Sequence, residues 1–164
     1  MPSPKSGAAL PDGVKIVVVN RRARHDYTIL EKIEAGIVLR GPEVKSIRGG
    51  KINLGDAYAQ VEGVELWLVQ MHISPYEQAH RENTDPLRRR KLLLHRRQVI
   101  RLKQRIEEKG LTLIPLALYF KGRHLKVELG LGKGKRQHDR REDMAKRDAQ
   151  REMDRARRGE RGDG

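Results

Sequence analysis

Cysteine is absent from the 164 residues. No disulfide can staple this chain, and no zinc site can draw on thiolates. Chains kept in a reducing compartment do without disulfides, so a cytoplasmic location is the expectation. Aromatic residues are scarce: one Trp, one Phe and four Tyr. A protein that grips loose single strands lays several rings under successive bases, and few rings remain here once a core is filled. Long apolar runs are missing as well. Ile16–Val19 and Leu111–Leu118 fall far short of the roughly 20 residues that a bilayer-spanning helix needs, so no membrane-spanning segment, and no membrane partner of that kind, is expected. Residues 1–13 hold Pro2, Pro4 and Pro11 without an apolar block of signal-peptide length, and they read as a disordered arm.

What the chain has in excess is positive charge. Against 22 Asp and Glu stand 36 Lys and Arg, a formal net charge of +14. That balance calls for a polyanionic partner: RNA, DNA, an anionic surface or an acidic protein. With so few rings, binding by charge and shape to a folded RNA is favoured over stacking on loose bases. Composition shifts at Gly132. From Lys133 to Gly164 the only large apolar residues are Met144 and Met153, and 12 Lys and Arg face 8 Asp and Glu. Three units follow: the arm, a globular unit over 14–132, and a basic tail over 133–164.

The globular unit reads as mainly β. Lys15–Val19 is a short strand. Tyr27 to Leu39 places Ile33, Ala35, Ile37 and Leu39 on one face, with Gly36 marking a bulge or a close backbone approach. Pro42–Arg48 fits a short helix stopped by Gly49-Gly50. Ala57–Val61 and Glu65–Ile73 flank a turn. In the second of these, Leu66 and Leu68 alternate with Trp67, Val69, Met71 and Ile73, so both faces are apolar. Leu92–Leu94 is a further short run. Leu113–Phe120 and His124–Leu131 pair through Lys121-Gly122. Val99, Leu102 and Ile106 line one face of a longer helix closed by Gly110. On that helix Arg97, Arg101 and Arg105 form a second row, either a solvated face or an RNA-facing stripe. Short strands with inserted helices suggest a small barrel of OB type.

Catalytic signatures are missing. The six histidines show no i, i+4 pair for a metal, no Gly-x-Ser-x-Gly elbow occurs, and no acidic pair stands out. Gly130-Leu131-Gly132-Lys133-Gly134-Lys135 fits neither a P-loop nor a dinucleotide fingerprint. It reads as a flexible cationic exit from the barrel or as a plain linker. Glu34 sits among apolar positions. It can accept hydrogen bonds from base edges or 2′-hydroxyls, orient a neighbouring Arg, or form a structural ion pair. A nuclease would need a carboxylate cluster or a His pair, so no enzyme, no metal and no cofactor is expected.

Four stretches, taken together, resemble one family. They are Asn20-Arg21-Arg22-Ala23-Arg24-His25-Asp26-Tyr27; Glu34-Ala35-Gly36-Ile37 with Gly41-Pro42-Glu43-Val44-Lys45-Ser46-Ile47-Arg48; Arg90-Lys91-Leu92-Leu93-Leu94; and Gly132-Lys133-Gly134-Lys135-Arg136-Gln137-His138-Asp139-Arg140-Arg141. Their order and spacing are similar to those of the SsrA-binding proteins, also called small protein B. The resemblance implies an OB-type barrel that binds the tRNA-like domain of transfer-messenger RNA and accompanies it to stalled 70S ribosomes. There the protein would stand where that RNA lacks an anticodon arm. It also implies one monomer per RNA. By motif position, Asn20, Arg21, His25 and Glu34 are the RNA-facing group, supported by Lys45, Lys126 and Lys133. Arg24, Arg48 and Lys135 lie in the same motifs and join them. Leu93 would hold the barrel against that face. His138, Asp139, Arg140 and Arg141 match the tail motif that meets the decoding centre, with Arg140 where the family often carries Lys. A bulky apolar pair of the family's tail is not evident. The rest of the tail carries acid-before-base pairs at i, i+4, such as Asp154–Arg158, and a thin stripe of Ala145, Ala149, Met153 and Ala156. It is expected to be disordered when free and to become helical in the ribosomal messenger channel. A general RNA chaperone or ribosomal protein is the competing reading.

Overall fold

Period-two alternation supplies most of the strands, and glycines at left-handed positions supply most of the turns. The computed structural model describes residues 13–135 and 137–162; residues 80–82, 137–144 and 160–162 are described by backbone alone. The expected arm, apart from Gly13, lies outside the described residues. In chain order the elements are β1 (Val14–Val19), α1 (Arg21–Asp26), β2 (Tyr27–Ile37), α2 (Gly41–Arg48), β3 (Ile52–Asn53), β4 (Tyr58–Glu62), β5 (Glu65–Val69), β6 (His72–Ile73), a 3-10 turn (Glu77–Glu82), β7 (Arg90–Leu93), α3 (Arg96–Lys109), β8 (Thr112–Lys121), β9 (His124–Gly134) and α4 (Gln137–Gly162).

Six strands close on one another in the order β8, β4, β5, β7, β2, β9 and back to β8, every pair antiparallel. The closure between β4 and β8 rests on one pairing, Ala59 with Leu113. Strand β1 lies along the same edge of β8, further down that strand. Inside the ring pack Ile33, Ala35, Leu66, Leu68, Leu92, Leu113, Leu118, Val127, Leu129 and Leu131. Leu102 of α3 and Ile47 of α2, both fully enclosed, extend this core. Burying a side chain of this size contributes about 1.5–3 kcal/mol. Gly110, at φ 59°, ends α3 as its spacing predicts, donating its N–H to the Ile106 carbonyl.

Two features depart from the alternation. Gln70 has φ 66°, a left-handed value that breaks the predicted strand Glu65–Ile73 into β5 and β6, which lie in different sheets. The break also shifts the phase. Met71 and Ile73, which uninterrupted alternation sets opposite Leu66 and Leu68, join them in the same core. The exit at Gly132 is not a flexible linker either. β9 continues to Gly134, with Lys133 paired to Thr28 and Gly134 to Tyr27, and the Lys135 N–H donates to the Asp26 carbonyl at 2.8 Å.

Helix α4 runs through the tail. Its side chains from residue 145 to 159 are exposed throughout, Met153 included.

Candidate nucleic-acid interface

Among the elements that sequence reading missed is α1, six residues long and rich in arginine. Its existence rests on Asn20. The Asn20 Oδ1 accepts from the Ala23 N–H at 3.3 Å, capping the helix. Its Nδ2 donates to the Pro115 carbonyl at 2.9 Å, and its backbone N–H donates to the Leu116 carbonyl at 2.8 Å. Ala23 then packs on Ile114 and Leu116, with Tyr27 and Ile29 beside them. Room for this comes from β9: a Cβ on Gly130 would lie 2.9 Å from the Leu116 Cδ1, and one on Gly132 would lie 3.2 Å from the Tyr27 Cβ. With Ala23 inward, Arg21, Arg24 and His25 face out. Arg24 and His25 occupy the last turn, where the helix dipole favours cations. The His25 Nδ1 lies 2.9 Å from the Asp26 Oδ1, and Arg22 lies 3.6 Å from Asp56.

Of the predicted residues, Arg21, Arg24, His25, Lys133 and Lys135 are thus brought to one end of the β2–β9 pair. Asn20 stands apart from them. It is 7% exposed, so it does not face outward; it positions the cations that do.

Glu34 lies further along the outer face of the same sheet. Pairing sets Glu34 opposite Glu128, and Lys126 opposite both Gly36 and Tyr119. The Tyr119 hydroxyl donates to the Glu34 Oε2, and the Lys121 Nζ is 3.5 Å from Oε1. That hydrogen bond holds the Glu34 carboxyl below its ordinary range; burial pulls the other way, and Lys121 and Lys126 add to the lowering. Burial, and then Glu34 itself, push the Tyr119 phenol well upward. Glu34 is therefore an ionised, oriented acceptor whose side chain remains 39% exposed. The hairpin register around Lys121-Gly122 could have revealed Tyr119 opposite Lys126. The approach of Glu34 depends on pairing across most of the chain and leaves no local signal.

Leu93 does not fill the barrel. It is 51% exposed, and its Cβ would lie 3.2 Å from a Cβ on Gly36. Gly36 is thus a close approach. The register irregularity of β2 lies elsewhere, between Ile29 and Glu31.

Helix α2 presents Lys45 and Arg48. Lys45 sits 5.3 Å from the centre of the Tyr76 ring, and Arg48 sits 5.3 Å from that of Phe120. The helix is anchored by Glu43, 3% exposed, which accepts from the Arg40 N–H, Arg88 and Arg90. The arginine row of α3 divides. Arg101 and Arg105 both donate to Glu31 of β2, a structural clamp, while Arg97 is exposed. The side chains of His138, Asp139, Arg140 and Arg141 lie outside the described residues. Among the described residues no group of three His, Asp or Glu could hold a metal ion, and no helix is long and apolar enough to cross a membrane.

The family profile described as SmpB protein matches residues 17–159. The SsrA-binding protein of Carboxydothermus hydrogenoformans is 61% identical over 142 residues, covering 87% of this chain and 95% of the relative. That of Geobacillus thermodenitrificans is 56% identical, covering 87% and 92%. A chain from a solved structure described as "tmRNA-SmpB: a journey to the center of the bacterial ribosome" is 50% identical. It superposes with a TM-score of 0.63 over 76% of this chain and 92% of that one. The match runs from β1 through most of α4 and takes in each of the four motifs, so the chain belongs to the SmpB protein family.

Proposed function

We propose that this chain binds the tRNA-like domain of transfer-messenger RNA, SsrA RNA, and delivers it to stalled ribosomes for trans-translation. One observation carries this reading: Arg21, Arg24 and His25, fixed outward by the buried Asn20 cap beside the cationic end of β9. Cations held this way lose little freedom on meeting phosphates. The relatives named SsrA-binding proteins, and the tmRNA-SmpB structure, add the identity of the RNA.

Lys126, Lys45 and Arg48 would extend the contact, and Glu34 would accept from a base edge or 2′-hydroxyl, which charge alone cannot do. We read the ring of strands as an OB-type barrel, on its closure and inserted helices. The chain acts as a cytoplasmic adaptor, one monomer per RNA, and performs no chemistry of its own. We assign the helical form of α4 to the ribosome-bound state, with His138 to Arg141 at the decoding centre and the remainder in the empty messenger channel. The free tail would be disordered, because no side chain from 145 to 159 is buried.

Competitive binding at physiological salt tests the reading. Labelled tRNA-like domain is competed with an unrelated hairpin of equal length. A preference of roughly a thousandfold supports shape-specific recognition. Near-equal competition would replace it with general RNA binding driven by the +14 charge.

A further inference from the structure

Three clefts on the described surface differ in charge. One, beside α3, holds Lys103 together with Glu107. A second, under α1, holds Arg22 with Asp26 and Asp56. The third lies between β1, the end of α2 and the β8–β9 turn. Among the described residues it is lined by Lys15 and Arg48 with no carboxylate.

We propose that this third cleft receives one unstacked nucleotide of the bound RNA, the base against the Arg48–Phe120 pair and the phosphate on Lys15. The proposal rests on the RNA-binding reading above and deepens it. The cleft measures about 410 Å³, within the roughly 300–1,000 Å³ of small-ligand sites. Its floor is apolar: Ile47 is fully buried, and Ile16 and Val17 are half-buried. Lys15 pairs directly opposite Phe120 in the β1–β8 register, so both side chains leave the sheet on the same face. The Arg48 guanidinium lies over the Phe120 ring and is itself exposed. Bases stack on guanidinium planes as they do on rings, so the pair offers a stacking platform already assembled.

The mouth of the cleft stays open for a backbone reason. Gly13, Gly50 and Gly122 stand at its rim with φ of 84°, 73° and 62°, values that disfavour side chains. A Cβ at any of them would meet nothing within 4 Å. The last carbonyls of α2 are already engaged, with Lys45, Ser46 and Ile47 accepting from Gly49, Lys51 and Gly50. They therefore leave the cationic groups free to act on a ligand. With no side-chain hydrogen-bond acceptor among its described lining residues, the cleft recognises a nucleotide as a class and does not select among bases.

Isotope-labelled full-length protein would be titrated with AMP, with UMP and with inorganic phosphate, following backbone amides by NMR. The nucleotides should shift Ile16, Val17, Arg48, Gly50 and Gly122 far more than phosphate does. Arg48→Ala, at an exposed position, should abolish those shifts, leave the remaining spectrum intact, and weaken binding of the tRNA-like domain about tenfold. Phe120→Leu should act likewise, and Phe120→Trp should retain binding. Equal shifts with phosphate, nucleotide shifts spread across the basic surface, or unchanged RNA affinity in Arg48→Ala would each overturn the proposal. The mononucleotide titration does not involve transfer-messenger RNA. Loss of the preference for tRNA-like RNA over a hairpin would therefore defeat the functional reading without altering this result.

Discussion

Arg90 points into the barrel and donates its Nε–H to the Glu43 Oε2 at 2.8 Å, with no solvent exposure of its own. It stands opposite Leu68 on β7, a position that the ring otherwise fills with aliphatic side chains. Its other donors go to the carbonyls of Met71 and Pro86. One guanidinium therefore ties α2, the link between β5 and β6, and the approach to β7 together. Removing one partner of a buried pair leaves an uncompensated charge. Arg90→Ala should lower stability by about 3–5 kcal/mol in urea titrations, and a loss below about 1 kcal/mol would show the pair to be incidental.

Glu43 makes that clamp dependent on pH. Burial alone would raise its carboxyl pKa, but hydrogen bonds from Arg88, the Arg40 N–H and Arg90 outweigh burial and lower it. A depressed folded value contributes stability that is complete above the unfolded carboxylate value of about 4.3 and is lost as pH falls through the folded one. Urea midpoints of the parent chain and of Glu43→Gln should differ most at neutral pH and converge in acid. Parallel curves from pH 7 to 3 would place the acid sensitivity elsewhere.

Asn20 gives a test that separates positioning from contact. Asn20→Ala removes the cap of α1 and the bond to Pro115, so it should cost about 1–2 kcal/mol. RNA binding should weaken as the cations of α1 lose their orientation. Asn20→Asp keeps the capping oxygen but sets a carboxylate against the Pro115 carbonyl, and it should be no better than alanine in stability. If Asn20→Ala leaves unfolding unchanged and affects RNA binding alone, the residue touches RNA directly.

Glu34→Ala raises net positive charge and frees Lys121, so a purely electrostatic interface would bind every RNA more tightly. The expected outcome is the reverse for the tRNA-like domain, with hairpin affinity unchanged or higher. Filter binding of both RNAs to both proteins decides between them. A gain for both RNAs would make Glu34 a surface acid and nothing more.

The strand pairing also fixes where the tail can be cut. Lys133 and Gly134 still pair with Thr28 and Tyr27, so truncation after Gly132 would strip the end of β9. Truncation after Lys135 should keep most affinity for the RNA and abolish tagging of stalled chains in a translation assay. Tagging that persists without residues 136–164 would remove the proposed role of α4.

Local pattern made most of the barrel legible. Leu125, Val127, Leu129 and Leu131 alternate as a half-buried strand should, and Gly110 ended α3 where the helical spacing stopped. What stayed hidden was long-range or conformational. Nothing around Gln70 signals a left-handed residue, since glycine or asparagine is the usual occupant, and so the phase of Met71 and Ile73 was misread. The α1 helix has too few residues to show an amphipathic period, and its stability comes from Pro115 and Leu116, far along the chain. Gly130 and Gly132 read as part of a flexible cationic exit or a plain linker, yet they serve as clearance for Leu116 and Tyr27. Arg101 and Arg105 formed a visible row, but their partner Glu31 lies about seventy positions earlier, beyond any window of local spacing.

The ring of strands leaves β1 outside it. Val14–Val19 pairs with β8 on one side, and among the described residues no strand covers its other side. An uncovered edge of β-branched residues is a template onto which a second chain can add, the first step of sheet-to-sheet aggregation. Lys15 interrupts this run, and Arg21, Arg22 and Arg24 follow it. The same cations that attract a polyanion therefore make two copies of this edge repel each other, and concentrated protein should stay dispersed best at low ionic strength.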